Sequence, residues 1–192
     1  MGVQLTPSDY VHLHNHTHHS LLDGLTKIPD LIGAVKNMGM EAVAITDHGT
    51  MSGVIEFYKA AKDGGVKPII GMEAYVASRS RHDRDPQKDK ARYHLIILAM
   101  NNVGYQNLMQ LSTSANLEGM YYKPRIDREL LEKYNEGLII LSGCAGGEVG
   151  ENLRSDNYEE AKKIAVWYKK VFGDRYYLEM QDHGHVDSPG KW

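Results

Sequence analysis

Apolar positions along the chain fall into two alternating rhythms. Short apolar runs recur at Ala42-Val-Ala-Ile45, Lys67-Pro-Ile-Ile70, Leu95-Ile-Ile-Leu-Ala99, Gly137-Leu-Ile-Ile-Leu-Ser142 and Tyr176-Tyr-Leu-Glu-Met180. Bounded by turn residues and rich in branched side chains, they predict buried strands. Tyr10-Val-His-Leu-His14 alternates instead, and predicts a further short strand whose histidines share a face. Between the strands the spacing changes. Ile28, Leu31, Ile32 and Val35 recur at i, i+3, i+4, i+7, with Thr26 as cap, Pro29 in the first turn and Gly39 as the stop. Val54, Phe57, Tyr58 and Ala61 repeat that stripe before Gly64-Gly65. Helices are also predicted over 103–111, 126–134 and 158–172, the last with Ala161, Ile164, Ala165, Tyr168 and Phe172 inward. Strand, helix and strand with short connections predict an α/β fold of parallel βα units, a sheet or a barrel.

Two stretches break the rhythm. Residues 78–92 are rich in Arg, Lys and Asp with almost no apolar positions, which predicts an exposed, mobile loop. Residues 116–125 predict a second loop carrying Tyr121, Tyr122, Lys123 and Arg125. Aromatics beside cations suit a single-strand DNA contact, and equally a loop packed on its own tyrosines.

Composition narrows the class. At 192 residues the chain suits one domain over 1–192, and 42% hydrophobic with 24% charged residues is ordinary for a globular protein. A formal net charge of -3 argues against binding nucleic acid through bulk positive charge. No apolar run is long enough for a membrane span, and the first residues lack a secretory pattern. The single cysteine, Cys144, fits a reducing compartment, so the expectation is a cytoplasmic protein without membrane partners.

The chemistry concentrates in His12-Leu-His-Asn-His-Thr-His-His-Ser-Leu-Leu-Asp23, which holds His12, His14, His16, His18 and His19 of the ten histidines. Imidazoles this crowded repel when protonated and are best tolerated neutral around a divalent metal. His14, His16, His48, Glu73, Cys144 and Asp182 all follow predicted strands, at the rim where parallel α/β folds build their sites. Asp23 can complete a shell with His14 and His16, and Glu73 can bridge two ions. Paired ions about 3.5–4 Å apart stabilise both oxygens in phosphoester displacement. Metal-assisted hydrolysis of a phosphate ester follows.

His14-Asn-His16-Thr17, Asp23, Thr46-Asp-His48-Gly, Gly71-Met-Glu73, Tyr93-His94 and Gly143-Cys144 together resemble the polymerase-and-histidinol-phosphatase (PHP) domain. Ser20-Leu-Leu-Asp-Gly24, Lys67-Pro-Ile-Ile-Gly-Met-Glu-Ala-Tyr75, Tyr121-Tyr-Lys-Pro-Arg-Ile-Asp127 and Gln181-Asp-His-Gly184 resemble one branch, the N-terminal region of bacterial DNA polymerase III alpha subunits. The resemblance implies a distorted (β/α)7 barrel with up to three divalent metals, zinc, manganese or iron. Its ligands map onto His14, His16, Asp23, His48, Glu73, His94 and Cys144, with His14, His16, His48 and Glu73 assisting catalysis. Cys144 stands where many relatives have His and favours zinc or iron. His94 precedes its predicted strand, so the resemblance alone selects it.

The family pattern continues with an Asp-x-His pair after a seventh strand, and this sequence contains none. The expectation is a portion of a longer replicative polymerase, truncated after about six strands and lacking the closing strand. The implied activity is a 3′–5′ proofreading exonuclease within a DNA polymerase, with DNA, a proofreading subunit and the sliding clamp as partners. A non-catalytic scaffold stabilising the polymerase or docking a proofreading subunit is the alternative, and a free-standing PHP phosphatase the second. His12 is expected to be structural, and His18 and His19 to face solvent. Asp47 suits either an orienter of a neighbouring histidine or a turn carboxylate. Asp83 and Asp85 lie in the hydrophilic loop and are set aside.

Overall fold

A computed structural model describes residues 6–181. Helix α1 (Ile28–Asn37), strand β1 (Ala42–Ile45), helix α2 (Val54–Gly64) and strand β2 (Lys67–Ala77) form the first half. Strand β3 (Arg92–Ala99), helix α3 (Asn102–Leu117), strands β4 (Met120–Tyr121) and β5 (Lys123–Ile126) and helix α4 (Arg128–Lys133) follow. Strand β6 (Leu138–Leu141), helices α5 (Glu148–Arg154) and α6 (Tyr158–Phe172), and strand β7 (Tyr176–Tyr177) close the order. The strands pair in the order β4-β5-β2-β3-β6-β7, with β1 alongside β2.

The long strand β2 organises the sheet. Its first half pairs parallel with β1 and its end pairs parallel with β5, while β3 runs antiparallel along its other edge. β6 is antiparallel to β3, and β7 parallel to β6. The expected all-parallel sheet is therefore a mixed one. The reason lies in residues 78–91, which contain no helix. A parallel return needs a crossover of about a dozen residues, usually helical; without it the chain turns back beside the strand it left.

Side-chain alternation sorts the two faces. Met72, Ala74, Val76, Leu95, Ile97 and Ile140 pack on Leu108 and Leu111 of α3 and on Ile164, Tyr168 and Phe172 of α6. Val43 and Ile45 pack on Ile28, Ile32 and Val35 of α1 and on Phe57 and Ala61 of α2. The opposite face carries a small inner cluster of Ala44, Ile96, Leu98 and Leu141 with Leu13. Each large side chain buried fully in this way contributes about 1.5–3 kcal/mol. By the same period of two, Glu73 and Tyr75 of β2 and His94 of β3 belong to that inner face.

Several expectations change. The predicted strand at 10–14 shrinks to one bridge, His12 with Val43, though its inward histidines remain. Lys27, not Thr26, occupies the N-cap position of α1 without a side-chain cap, and Tyr58 on α2 is exposed. Residues 116–125 are not a loop, because α3 runs on to Leu117 and β4–β5 form a tight hairpin around Tyr122. Helix α5 was not predicted.

The charged segment 78–91 is neither fully exposed nor loose. Arg79 pairs with buried Asp89 at 2.7 Å, and buried Arg81 reaches Asp127, Glu118 and Glu129. Arg79 is paired within the segment and Arg81 with carboxylates outside it, which composition cannot reveal. Asp83 serves Ser80 and Asp85 serves Gln87 and Lys88, so neither is a site carboxylate.

Candidate metal centre

Glu73 lies at the middle of the site and is buried. It sits inside β2, not after it, because that strand runs on to Ala77. Its Oε2 is 3.1 Å from His14 Nε2, 2.8 Å from His16 Nε2 and 3.1 Å from His48 Nδ1, and its Oε1 is 2.8 Å from His94 Nδ1. Asp23 Oδ2 reaches the other nitrogen of His48 at 2.7 Å.

Topology explains the convergence. β1 ends at Ile45 and delivers Asp47 and His48, and His48 bridges Glu73 directly. β3 runs antiparallel, so its beginning, with His94 opposite Tyr75, lies beside the end of β2. That settles why a residue near the start of a strand joins residues after strand ends. β6 ends at Leu141 and leads through Ser142 to Cys144, whose Sγ is 3.8 Å from His94 Nδ1. Close approaches demand glycine at two points. A Cβ on Gly24 would stand 1.9 Å from Thr17 O, and Gly49 has φ +62 with Tyr75 and Pro124 against it.

Electrostatics follow from this crowding. Burial raises the Glu73 carboxyl, but the imidazoles of His14, His16 and His94 beside it outweigh burial and hold the group well below the usual carboxylate range. Burial opposes a charge on His14, yet Glu179 and Glu73 push it up to about 10. Cys144 and Glu73 push His94 up to about 9, while desolvation lowers His48. His94 in turn lowers the Cys144 thiol.

The donors suit a divalent cation. His14, His16 and Glu73 offer atoms within 4.8 Å of one another; so do His16, Asp23 and His48, and again His48, Glu73 and His94. Buried His48 Nδ1 and Glu73 Oε1 make no hydrogen bond of proper geometry despite close neighbours. Such close but unpartnered donor atoms fit a metal-ligating set of imidazole and carboxylate. Cys144 lies beside His94 outside these groups.

A cleft of about 730 Å³ opens beside the Asp23, His48 and His94 side of the site, lined also by Leu22, Tyr75 and Lys123 among others. Tyr122 on the adjoining hairpin is 74% exposed. Arg125, expected at this surface, is 1% exposed and donates inward to the carbonyls of Gly119, Arg81, Asp83 and Asp89. It cannot present its guanidinium to DNA. Tyr121 is half-buried and stacks over that same guanidinium at 5.1 Å. His12 serves the backbone, its carbonyl accepting from Ala44 N. His18 is exposed, while half-buried His19 reaches Glu56 at 3.3 Å. Asp182, His183 and His185 lie outside the described residues.

Asp47 proves to be buried and accepts from Thr17 N, Thr17 Oγ1 and Ser20 Oγ, shaping the histidine turn. Sequence reasoning missed Glu179, whose Oε1 is 2.7 Å from His14 Nδ1. Its place two residues past the end of β7 was the available signal.

The PHP domain model matches residues 12–183. The alpha subunit of DNA polymerase III from Borreliella burgdorferi is 49% identical over 181 residues, covering 94% of this chain and 16% of that one. The Aquifex aeolicus counterpart is 52% identical over 182 residues, covering 90% and 15%. The chain thus spans about one sixth of the length of these relatives. A solved amidohydrolase from Chromobacterium violaceum, with bound sulfate and no metal, aligns at TM-score 0.50 and 14% identity. It covers 88% of this chain and 84% of that one, a likeness of fold alone. Among the described residues, no helix is long and apolar enough to cross a membrane.

Proposed function

The chain belongs to the PHP domain family, and from that premise we propose that it is a metal-dependent phosphoesterase module of a bacterial replicative DNA polymerase. Its place would be the N-terminal region of the alpha subunit, acting on DNA as a 3′–5′ proofreading exonuclease. The observation that carries this reading is one buried carboxylate, Glu73, faced by four imidazoles at 2.8–3.1 Å, two of which, His48 and His94, line an open cleft. The relatives' name supplies the polymerase context. A longer chain would carry polymerisation and meet the sliding clamp and a separate proofreading subunit, in the cytoplasm.

His14, His16, Asp23, His48, Glu73 and His94, with Cys144 at their margin, would hold zinc, manganese or iron, up to three ions in a full set. Bound there, a cation supplies Lewis acidity toward a phosphoryl oxygen. The chain's own groups do the rest. Glu73 holds the imidazoles together, and Asp23 fixes one nitrogen of His48. Lys123, on the cleft wall with its Nζ 5.7 Å from the Tyr75 ring, offers positive charge to a phosphate, while Tyr122 offers a face for base stacking.

Incubation with a single strand labelled at its 5′ end tests this, in zinc or manganese, with Glu73→Ala and His14→Ala as controls. Stepwise shortening from the 3′ end, abolished by either substitution, is expected. A metal-loaded protein that leaves DNA intact, or activity surviving both substitutions, would refute the catalytic reading.

A second reading has its own support. The ligands come from distant segments, the histidine turn, the β1 end, β2, β3 and the β6 end, so a cation would also staple the fold. Metal that raises the melting temperature without any hydrolysis favours that scaffold role.

A further inference from the structure

The two histidines of the His14–Asn–His16 turn each use Nε2 toward Glu73, and each has its other nitrogen held by a group that serves no ligand role. On His14 that group is Glu179, with Oε1 at 2.7 Å from Nδ1. A carboxylate accepts, so Nδ1 carries a proton, and Nε2 is the nitrogen left to ligate once a cation displaces the proton it shares with Glu73. Gln181 Nε2 lies 3.1 Å from the same Nδ1 but 2.8 Å from Glu179 Oε1. Gln181 donates to Glu179, and that charged carboxylate, nearer to the ring than the amide is, takes the Nδ1 proton. The Glu179 backbone is fixed in turn, its N–H donating to Ser142 Oγ at 2.9 Å.

On His16 the group is Ser20. Its hydroxyl is 3.2 Å from His16 Nδ1, donates to Asp47 Oδ1 at 2.8 Å, and accepts from His48 N at 3.0 Å. With its only proton committed to buried Asp47, Ser20 Oγ can only accept from the ring. His16 therefore also carries a proton on Nδ1, which leaves its Nε2, facing Glu73, as the nitrogen that can ligate.

We propose that Glu179 and Ser20 are positioning residues that fix the tautomers of His14 and His16, so that both present Nε2 to one cation beside Glu73. Groups that hold the far nitrogen of a ligating imidazole orient the ring and raise its basicity, and their loss weakens metal binding about 10–100-fold. This inference rests on the metal-binding reading above.

The test uses the chain with Glu179→Gln, Glu179→Ala and Ser20→Ala, measuring zinc affinity by chelator competition. Long-range nitrogen–proton NMR of the zinc-loaded proteins reports each histidine's tautomer. Wild type is expected to show His14 and His16 protonated on Nδ1. Glu179→Ala and Ser20→Ala should each bind zinc about 10–100-fold more weakly, and only the histidine facing the altered residue should lose its single tautomer. Glu179→Gln, which can still accept through its amide oxygen, should keep the His14 tautomer and lose less affinity. Wild-type zinc affinity in both alanine variants, or His14 or His16 protonated on Nε2, would overturn the inference while leaving metal binding intact. A wild-type chain that binds no zinc would overturn both readings.

Discussion

His14 Nε2 and His16 Nε2 lie 3.2 Å apart and face the same Glu73 oxygen. Two such nitrogens, each directed by a partner on its far side, make a poor hydrogen-bonded pair and a good chelate. Without metal, protons do the cation's work, which is why Glu73 stays ionised while His14 and His94 hold protons beyond the normal imidazole range.

Metal binding should therefore release protons. Near pH 7 the metal-free protein carries protons on His14, pushed up to about 10, and on His94, pushed up to about 9. A ligating imidazole must be neutral, so protons compete with metal below those values. Zinc affinity should rise with pH by about tenfold per unit for each proton displaced, more gently between about 9 and 10 where only His14 still competes, and level off above about 10. Calorimetry in buffers of different ionisation enthalpy counts the protons. Equal heats in all buffers would contradict the assignment.

Arg125→Ala should destabilise the fold while removing no DNA contact. The guanidinium is buried and bonds four backbone carbonyls that tie 78–91 to the hairpin. Hydrogen bonds to a charged group are worth about 1.5–3 kcal/mol each and are not additive, so a loss of about 3 kcal/mol in urea unfolding is expected. Lysine should rescue little of it, lacking the planar fork.

Much of the fold was legible because helix stripes and apolar runs report burial directly. The inward residues of α1, α2 and α6 are largely those the spacing selected, Ile28, Ile32, Val35, Phe57, Ala61, Ile164 and Tyr168 among them. Strand direction was not legible, since a continuous apolar run looks alike in parallel and antiparallel sheets. Glu73 interrupted the apolar run of β2 and so hid its second half, although that carboxylate is buried on the strand's inner face. The residues that converge on Glu73 were legible as residue types near strand ends. Glu179 was not, because its partner His14 is 165 residues away. Nor was the burial of Arg125, whose partners are backbone carbonyls that sequence does not display.

The segment 78–91 should keep its shape well into acid. Arg79 hydrogen-bonds Asp89 and lowers its carboxyl below the ordinary 3.8, with the Asp85 N–H assisting. A depressed carboxylate stabilises the fold above its unfolded value and loses that contribution as pH falls through the lowered one. The Asp89 carboxyl carbon resonance should titrate below 3.8 in wild type and return toward that value in Arg79→Ala. A wild-type midpoint at or above 3.8 would contradict the pairing.

The central claim is that the convergent strand ends form a metal centre around Glu73, and equilibrium dialysis against zinc at neutral pH tests it most directly. Wild type should retain zinc after exhaustive dialysis, and Glu73→Ala should lose it while remaining folded by circular dichroism. A wild-type chain that retains none, or a folded Glu73→Ala that retains as much, would contradict the account.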